Sequence, residues 1–362
     1  MVPPTNRLFS VLSFSCLTSL ATSNSLCPAE LIYQYPHEGT WIENLAFRHD
    51  GSLLLTSIEH PVGLSTLIPI PGAVPVPILP SFPGVNSTLG ITETLQDVFY
   101  VLGSNFSLGD NGKSPVGAKP GSSAVFKVDF NTNTNTPGSI PSPKVELVTC
   151  MPKASFLNGL TKFDDTLLLA TDSALGLIWG INTETSSYYV FAQDPLMAPV
   201  PTPAGFAEGI NGAHYLPQKG ELYFTNSQQH LFASISLDPK TGAPLGKAKY
   251  IASSAIQDGV QPTWDDFDFD RFGDVYVATQ QGNGVQVVTA EGEVKVVAGN
   301  VNSTQLAEPT AVKFGRGWGM RDWLYVTTAE GPVFPVVEGG EVERVGAQLL
   351  RVDLGVCGGG LL

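Results

Sequence analysis

From Glu43 the chain reads ENLAFRHDGSLLLTS: a short mixed segment, a polar turn at Asp50-Gly51, then an apolar run that closes on Thr and Ser. The same order returns as GITETLQDVFYVLG from Gly90, NGLTKFDDTLLLATDS from Asn158, NGAHYLPQKGELYFTNS from Asn211, DDFDFDRFGDVYVAT from Asp265 and PTAVKFGRGWGMRDWLYVTT from Pro309. Short apolar runs bounded by turn residues predict strands, and most units are followed by a further one, such as SAVFKVDF, GLIWGINT, LFASISLD, VQVVTAEG or AQLLRVDLG. The units recur at roughly 45 to 65 residues, the period of four-stranded propeller blades. The expected fold is all-β: a six-bladed β-propeller occupying residues 24–362 as a single domain. AELIYQYP, near the N-terminus, is expected to supply the outer strand of the C-terminal blade and so close the ring. A pair of β-sandwiches predicts no repeated turn-strand unit at this period. Loops rich in Pro and Gly, such as PIPGAVPVPILPSFPG and PLMAPVPTPAG, should decorate one end of the ring.

Alignment of the repeats on the residue that ends each apolar strand brings Glu43, Asn158, Asn211 and Asp265 to nearly one depth. Innermost strands line a propeller's channel, so two carboxylates and two amides are expected to face one another there. Hard oxygen donors of this kind suit Ca²⁺ or Mg²⁺, and less well Zn²⁺ or Mn²⁺. The competing reading is that the Asn-Gly pairs and the aspartate serve turns and strand starts. Gly90-Ile91 and Pro309-Thr310 occupy the position in the other two repeats. Of the remaining aspartates after Asp265, strand alternation and turn chemistry assign Asp268, Asp270 and Asp274 to structure, whereas a one-residue slip would exchange Asp266 with Asp265. The histidines show no metal-binding spacing; His214, three residues beyond Asn211, is the one nearest the inferred channel. Trp41, Phe156, Tyr215, Trp264 and Phe314 stand near inner segments and are candidates for apolar walls, with core packing as the alternative. No nucleophile elbow and no phosphate loop is present.

Composition narrows the partners. Charged residues make up 14% of the chain, Gly 38 and Pro 28 are plentiful, and the net charge of -14 would repel a phosphate backbone, so nucleic acid is not expected. Residues 1–23, with Arg7 before an apolar stretch and small residues at its end, read as a secretory signal too short to span a bilayer. No other segment reads as a membrane span. Sequons at Asn86, Asn105 and Asn302 agree with a secreted or vesicular-lumen location. Loss of the leader would remove Cys16 and leave Cys27, Cys150 and Cys357. A bond between Cys27 and Cys357 would tie the ends of the chain together, with Cys150 as a competing partner.

Asn211-Gly212 leading to LYFTNS, and Asp265 leading through Asp270 and Gly273 to VYVAT, resemble the metal-ligand segments of the gluconolactonase and regucalcin propellers. That resemblance implies a divalent cation held by Glu43, Asn211 and Asp265, Asp265 doubling as a general base, and Asn158 as an additional channel amide. The Asn44-Leu45-Ala46 that follows Glu43 departs from the lactonase turn. The leader together with ENLAFRHDGSLLLTS, LNGL, NGAHYL and WDDFDFD is similar to a fungal secondary-metabolite subgroup of these propellers that includes hetero-Diels-Alderases. The implied function is a pericyclase that joins a polyketide-derived quinone methide to a terpene; no catalytic residue of that subgroup maps onto this sequence, and the channel reading itself puts Asp265 and Asn211 at the reacting centre and Trp41, Asn158, His214 and Trp264 about the substrate. A metal-dependent lactonase is the second expectation, and a non-catalytic binding propeller the third. Small apolar molecules are the expected partners and no organic cofactor is expected.

Overall fold

The computed structural model describes Met1 and residues 26–36, 39–59, 62–107, 117–131, 142–201, 207–317, 319–329 and 335–357. Within them six antiparallel sheets, each of four strands, form the six blades of a β-propeller. Blade 1 runs from the channel outward as Trp41–Phe47, Leu53–Glu59, Gly63–Leu67 and Val76–Leu79. Blade 2 comprises Ser87–Glu93, Val98–Ser104, Ala124–Asp129 and Lys144–Cys150, and blade 3 comprises Leu157–Lys162, Leu167–Asp172, Leu177–Asn182 and Tyr188–Gln193. Blade 4 follows with Ile210–Leu216, Glu221–Asn226, Leu231–Ser236 and Lys249–Ser253, and blade 5 with Phe267–Phe269, Val275–Ala278, Gly284–Val288 and Val294–Gly299. Blade 6 takes Pro309–Phe314, Trp323–Thr328 and Gln348–Asp353, and its outermost strand is Ala29–Gln34 from the other end of the chain.

The apolar runs seen in the sequence are the second strands of the blades. They are apolar on both faces because each is sandwiched between neighbouring sheets; Val98–Ser104, for example, is buried along its whole length. Outer strands such as Lys144–Cys150 are largely exposed and correspondingly polar. Three aspartates after Asp266 act as the sequence suggests. Asp270 Oδ1 accepts from the N–H groups of Phe272, Gly273 and Asp274 and so shapes the turn, Asp274 accepts from Ala290 N–H, and Asp268 accepts from Phe314 N–H and Lys313.

The ring closes where Ala29–Gln34 pairs antiparallel with Gln348–Asp353, Ala29 opposite Val352 and Gln34 opposite Gln348. Cys27 and Cys357 are joined by a disulfide, and Cys27 N–H donates to Val297 O of blade 5 at 2.7 Å, so the first residues of the strand are pinned to two blades. Cys150 is a free, exposed thiol at the end of blade 2's outer strand. The segment expected to be a leader, residues 1–23, lies outside the described residues apart from Met1. Of the sequon asparagines, Asn86 and Asn302 are exposed and Asn105 is half-buried. Among the described residues no helix is long and apolar enough to cross a membrane.

Candidate functional site

Five of the six inner strands carry a register irregularity against their neighbour, at the depth where the sequence places the polar column. The shifts fall between Ile42 and Asn44, Thr88 and Ile91, Leu157 and Leu160, Ile210 and Ala213, and Pro309 and Ala311. A bulge leaves a residue unpaired and re-aims its side chain, here turning Glu43, Asn158 and Asn211 out of the regular alternation. In blade 5, Asp265 and Asp266 immediately precede the inner strand and bracket Ala278, Asp265 N–H donating to Ala278 O and Ala278 N–H to Asp266 O.

Threonine hydroxyls from the second strands hold these bulges. Thr56 Oγ1 accepts from Asn44 N–H at 3.1 Å, Thr171 from Gly159 N–H at 2.7 Å and Thr225 from Gly212 N–H at 3.0 Å. Thr171 and Thr225 then donate onward to the next blade, to Asn211 O at 2.6 Å and Asp265 O at 2.8 Å. In blades 3 and 4 the Thr that ends the apolar run is thus a clamp to the next blade. The Asn-Gly pairs are not turns. A Cβ on Gly159 would stand 2.6 Å from Asn211 O, and one on Gly212 2.8 Å from Asp266 Cα, so glycine is needed because consecutive inner strands approach one another there. Gly159→Ala should therefore cost about 1–3 kcal/mol, read as a lowered midpoint in denaturant melts, because backbone rather than a flexible side chain stands in the way.

The bulges bring Glu43, Asn158, Asn211 and Asp265 together as a buried set with an addition the sequence reading missed, Glu208. Glu208 lies on a two-residue strand, Ala207–Glu208, paired with Val200–Pro201 just before blade 4. Its Oε1 accepts from Asn211 Nδ2 at 3.1 Å and from Asn158 Nδ2 at 3.4 Å, which orients both amides. Glu43 Oε2 accepts from Trp41 Nε1 at 2.6 Å, and Asp265 Oδ2 from Gln280 Nε2 at 2.8 Å. Gln280 lies in the left-handed region at φ 34°, a conformation that costs a non-glycine residue energy and here directs its amide onto Asp265. A sequence signal for Glu208 does exist: AEGIN before blade 4 and AEPT before blade 6 both place a glutamate just ahead of an inner strand, and Glu308 is likewise buried.

The described partners of the three acids Glu43, Glu208 and Asp265 are amides, an indole and hydroxyls, none of them basic. Burial raises Glu43 to about 8, with the nearby Glu208 and Asp266 charges adding to the rise and the Trp41 bond opposing it. Burial likewise lifts Glu208 to about 7. Asp265 is pushed well above its ordinary range by burial and by the Glu43 and Glu208 charges. Such a site either retains protons near neutral pH or admits a cation. For Asp266 burial also works upward, but the His214 ring, the Asn44 amide and the Phe267 N–H outweigh it and hold the carboxyl below the usual value.

Asn211 Oδ1 is buried without a hydrogen-bond partner among the described residues. Among those residues no three His, Cys, Asp or Glu side chains group closely enough to hold an ion by themselves. The donor chemistry of two carboxylates with an orphaned amide oxygen nevertheless fits a hard divalent cation, with Asn211 as a necessary member of the set.

The aromatic candidates divide. Trp41 reaches Glu43 and continues through Phe106, at 6.0 Å between ring centroids, to Phe156 at 5.5 Å, giving the acidic end an apolar flank. Trp264 is 0% exposed and donates its Nε1 to Gln286, so it presents no surface to a substrate and serves the core of blade 5. Tyr215 packs on Phe163, and Phe314 on Tyr276. His214 does not join the acidic set. Its Nε2 lies 2.9 Å from Asp266 Oδ1, while Asn44 Nδ2 donates to Asp266 Oδ2 at 2.7 Å, so His214 is tied to the neighbour of Asp265 and not to the acids themselves.

A six-bladed propeller with buried acids and amides converging from its inner strands defines a regucalcin-like architecture with an acidic channel. No protein-family model matches the chain. It is 27% identical over 323 residues to a protein of a Phoma species named "Putative hetero-Diels-Alderase", covering 83% of this chain and 86% of that one. It is 26% identical over 333 residues to "Putative hetero-Diels-Alderase asR5" of Sarocladium schorii, covering 83% and 78%. Among solved structures, a luciferin-regenerating enzyme superposes with a TM-score of 0.60 at 14% identity over 90% of this chain and 95% of that one. A calcium-binding regucalcin of Agrobacterium tumefaciens gives 0.57 at 15% identity over 90% and 95%; these two likenesses concern the fold.

Proposed function

We propose that the protein is a pericyclase of secondary metabolism that catalyses a hetero-Diels-Alder reaction between a quinone methide and an alkene of a terpene. The observation that carries this reading is the likeness, over most of both chains, to the Phoma protein named "Putative hetero-Diels-Alderase". In such a cycloaddition one C–C and one C–O bond form as three π bonds become one, and no proton or electron leaves. Catalysis then needs orientation and a donor to the oxygen that gains negative charge, not a nucleophile. The chain offers both kinds of group. Glu43 keeps its proton at neutral pH and can donate to a carbonyl oxygen, Asp265 lies beside it, and Trp41 with Phe106 and Phe156, themselves buried, backs that end of the channel with apolar packing.

A second reading is favoured by the orphaned Asn211 Oδ1. In it Glu43, Asn211 and Asp265 would hold Ca²⁺ or Mg²⁺, and a lactone would be the substrate. The bound ion would supply Lewis acidity for an ester carbonyl. Asp265 would take the proton from the attacking water.

The two readings separate in one experiment: incubation of the purified protein, with and without chelator, with a quinone methide and terpene pair and with a lactone panel. A single stereoisomer of the cycloadduct, formed with chelator present, supports the pericyclase. Lactone hydrolysis lost on chelation overturns it in favour of the hydrolase, and inactivity on both substrates favours a non-catalytic binder. The leader and sequons support passage through the secretory pathway; glycosidase treatment of protein made in the native host should then increase its electrophoretic mobility.

A further inference from the structure

The column stands at the start of the inner strands; a second cavity, of about 370 Å³, stands where they end. In the blades that carry the column its residues lie two to four positions further along the inner strand, Leu45 to Phe47 after Glu43, Leu160 after Asn158 and His214 after Asn211, which at about 3.3 Å per residue sets it roughly 7–13 Å further along the channel. His214, one end of the Asn44–Asp266–His214 link, lines this cavity. Phe47, Ile91, Leu160 and Phe314 form its apolar walls, and Lys313, Arg316, Glu93 and His214 its polar ones. A volume of this size falls within the range of small-ligand pockets.

The hydrogen-bonding capacity of the cavity is unbalanced. Glu93 has both oxygens engaged, Oε1 accepting from Asp97 N–H at 2.8 Å and Oε2 from Arg316 Nη1 at 2.6 Å. Asp268, behind Lys313, is engaged by Phe314 N–H at 2.9 Å and Lys313 Nζ at 3.3 Å. The donors are not exhausted. The described bonds of Arg316 use only Nη1, to Glu93 and to Phe47 O, which leaves its Nη2 and Nε; Lys313 Nζ makes a single contact; and His214 is committed through Nε2. Both cationic side chains are partly exposed, 39% for Arg316 and 32% for Lys313, and so are reachable by a ligand.

Apolar walls with surplus cationic donors and satisfied acceptors match an apolar body bearing one carboxylate, for which a guanidinium edge is a planar partner. We propose that this end of the channel is a second ligand site, separate from the acidic column, for a small aromatic carboxylic acid in its ionised form. The net charge of -14 works against any anion at long range, but at physiological salt that field is screened beyond about 8 Å and the local donors decide.

Titration calorimetry of the intact protein at pH 7 tests this with sodium benzoate and with benzamide as its neutral counterpart. Saturable benzoate binding is expected, about tenfold or more tighter than benzamide, since a charge-assisted bond is lost in the amide. Arg316→Gln and Lys313→Gln should each weaken benzoate about tenfold, Thr92→Trp should block it by filling the cavity, and Glu43→Gln should leave it unchanged. Should Arg316→Gln fail to fold, Lys313→Gln and Thr92→Trp carry the test. Equal binding of benzamide, absence of saturable benzoate binding, or loss in Glu43→Gln with retention in Lys313→Gln and Thr92→Trp would each overturn the assignment.

Discussion

Glu43→Leu is expected to lower the turnover of the proposed cycloaddition about 100-fold, the effect of deleting one well-placed donor to a developing oxyanion. Glu43→Gln should behave differently. Its amide oxygen can keep the Trp41 indole bond, observed at 2.6 Å in the native side chain, while its N–H₂ donates at every pH. In cation-free buffer the native enzyme should lose activity as pH rises through about 8, where Glu43 surrenders its proton, and Glu43→Gln should show no such fall. Turnover measured from pH 6 to 9 for both variants checks this. A Gln variant as inactive as the Leu variant would point instead to a required carboxylate, as the cation reading demands. The same titration bears on stability with a definite sign. A carboxyl raised from 4.5 to about 8 contributes most below its unfolded value, and that contribution is lost as pH climbs through the folded one, so the apo protein should melt lower at pH 8 than at pH 5.

Opening the ring is expected to have the largest effect on stability. The Cys27–Cys357 bond spans 330 residues of sequence, and chain-entropy reasoning assigns a loop of that size about 6 kcal/mol. Cys357→Ser, or reduction of the native protein, should lower the melting temperature by about 10 °C. Hydrogen exchange should show where the ring gives way first: Ala29–Gln34 and its partner strand Gln348–Asp353, because the former belongs to blade 6 only through side-by-side pairing. Equal melting of oxidised and reduced protein would mean that strand pairing and the Cys27 N–H bond to Val297 suffice on their own.

The blades were legible because the second strands, buried on both sides, must be apolar, and because polar turns separate them from the inner strands. Closure by AELIYQYP follows from the same counting. The channel column was legible in Glu43, Asn158, Asn211 and Asp265, but its means of construction was not: a bulge has no residue signature of its own, and Gly159 and Gly212 look like turn residues until the neighbouring strand is in place. Glu208 escaped because it lies outside the repeating unit, in a linking strand that only the folded ring brings to the two asparagines. Trp264 resembled a pocket wall because large aromatics serve cores and pockets alike; Gln286, which satisfies its indole, is 22 residues away in sequence. His214 stands nearest the inferred channel in the sequence, and in the fold its ring meets Asp266, the neighbour of Asp265.

The threonine clamps give the ring a property that no single blade has. Thr225 touches neither a candidate substrate position nor the column's side chains, yet its hydroxyl grips the bulge of blade 4 and the carbonyl of Asp265 in blade 5 at once. Position is thereby handed from blade 3 through blade 4 to blade 5, like tension along a chain. The placement of an acid in one blade can be adjusted by a hydroxyl in the blade before it, leaving the acid itself untouched.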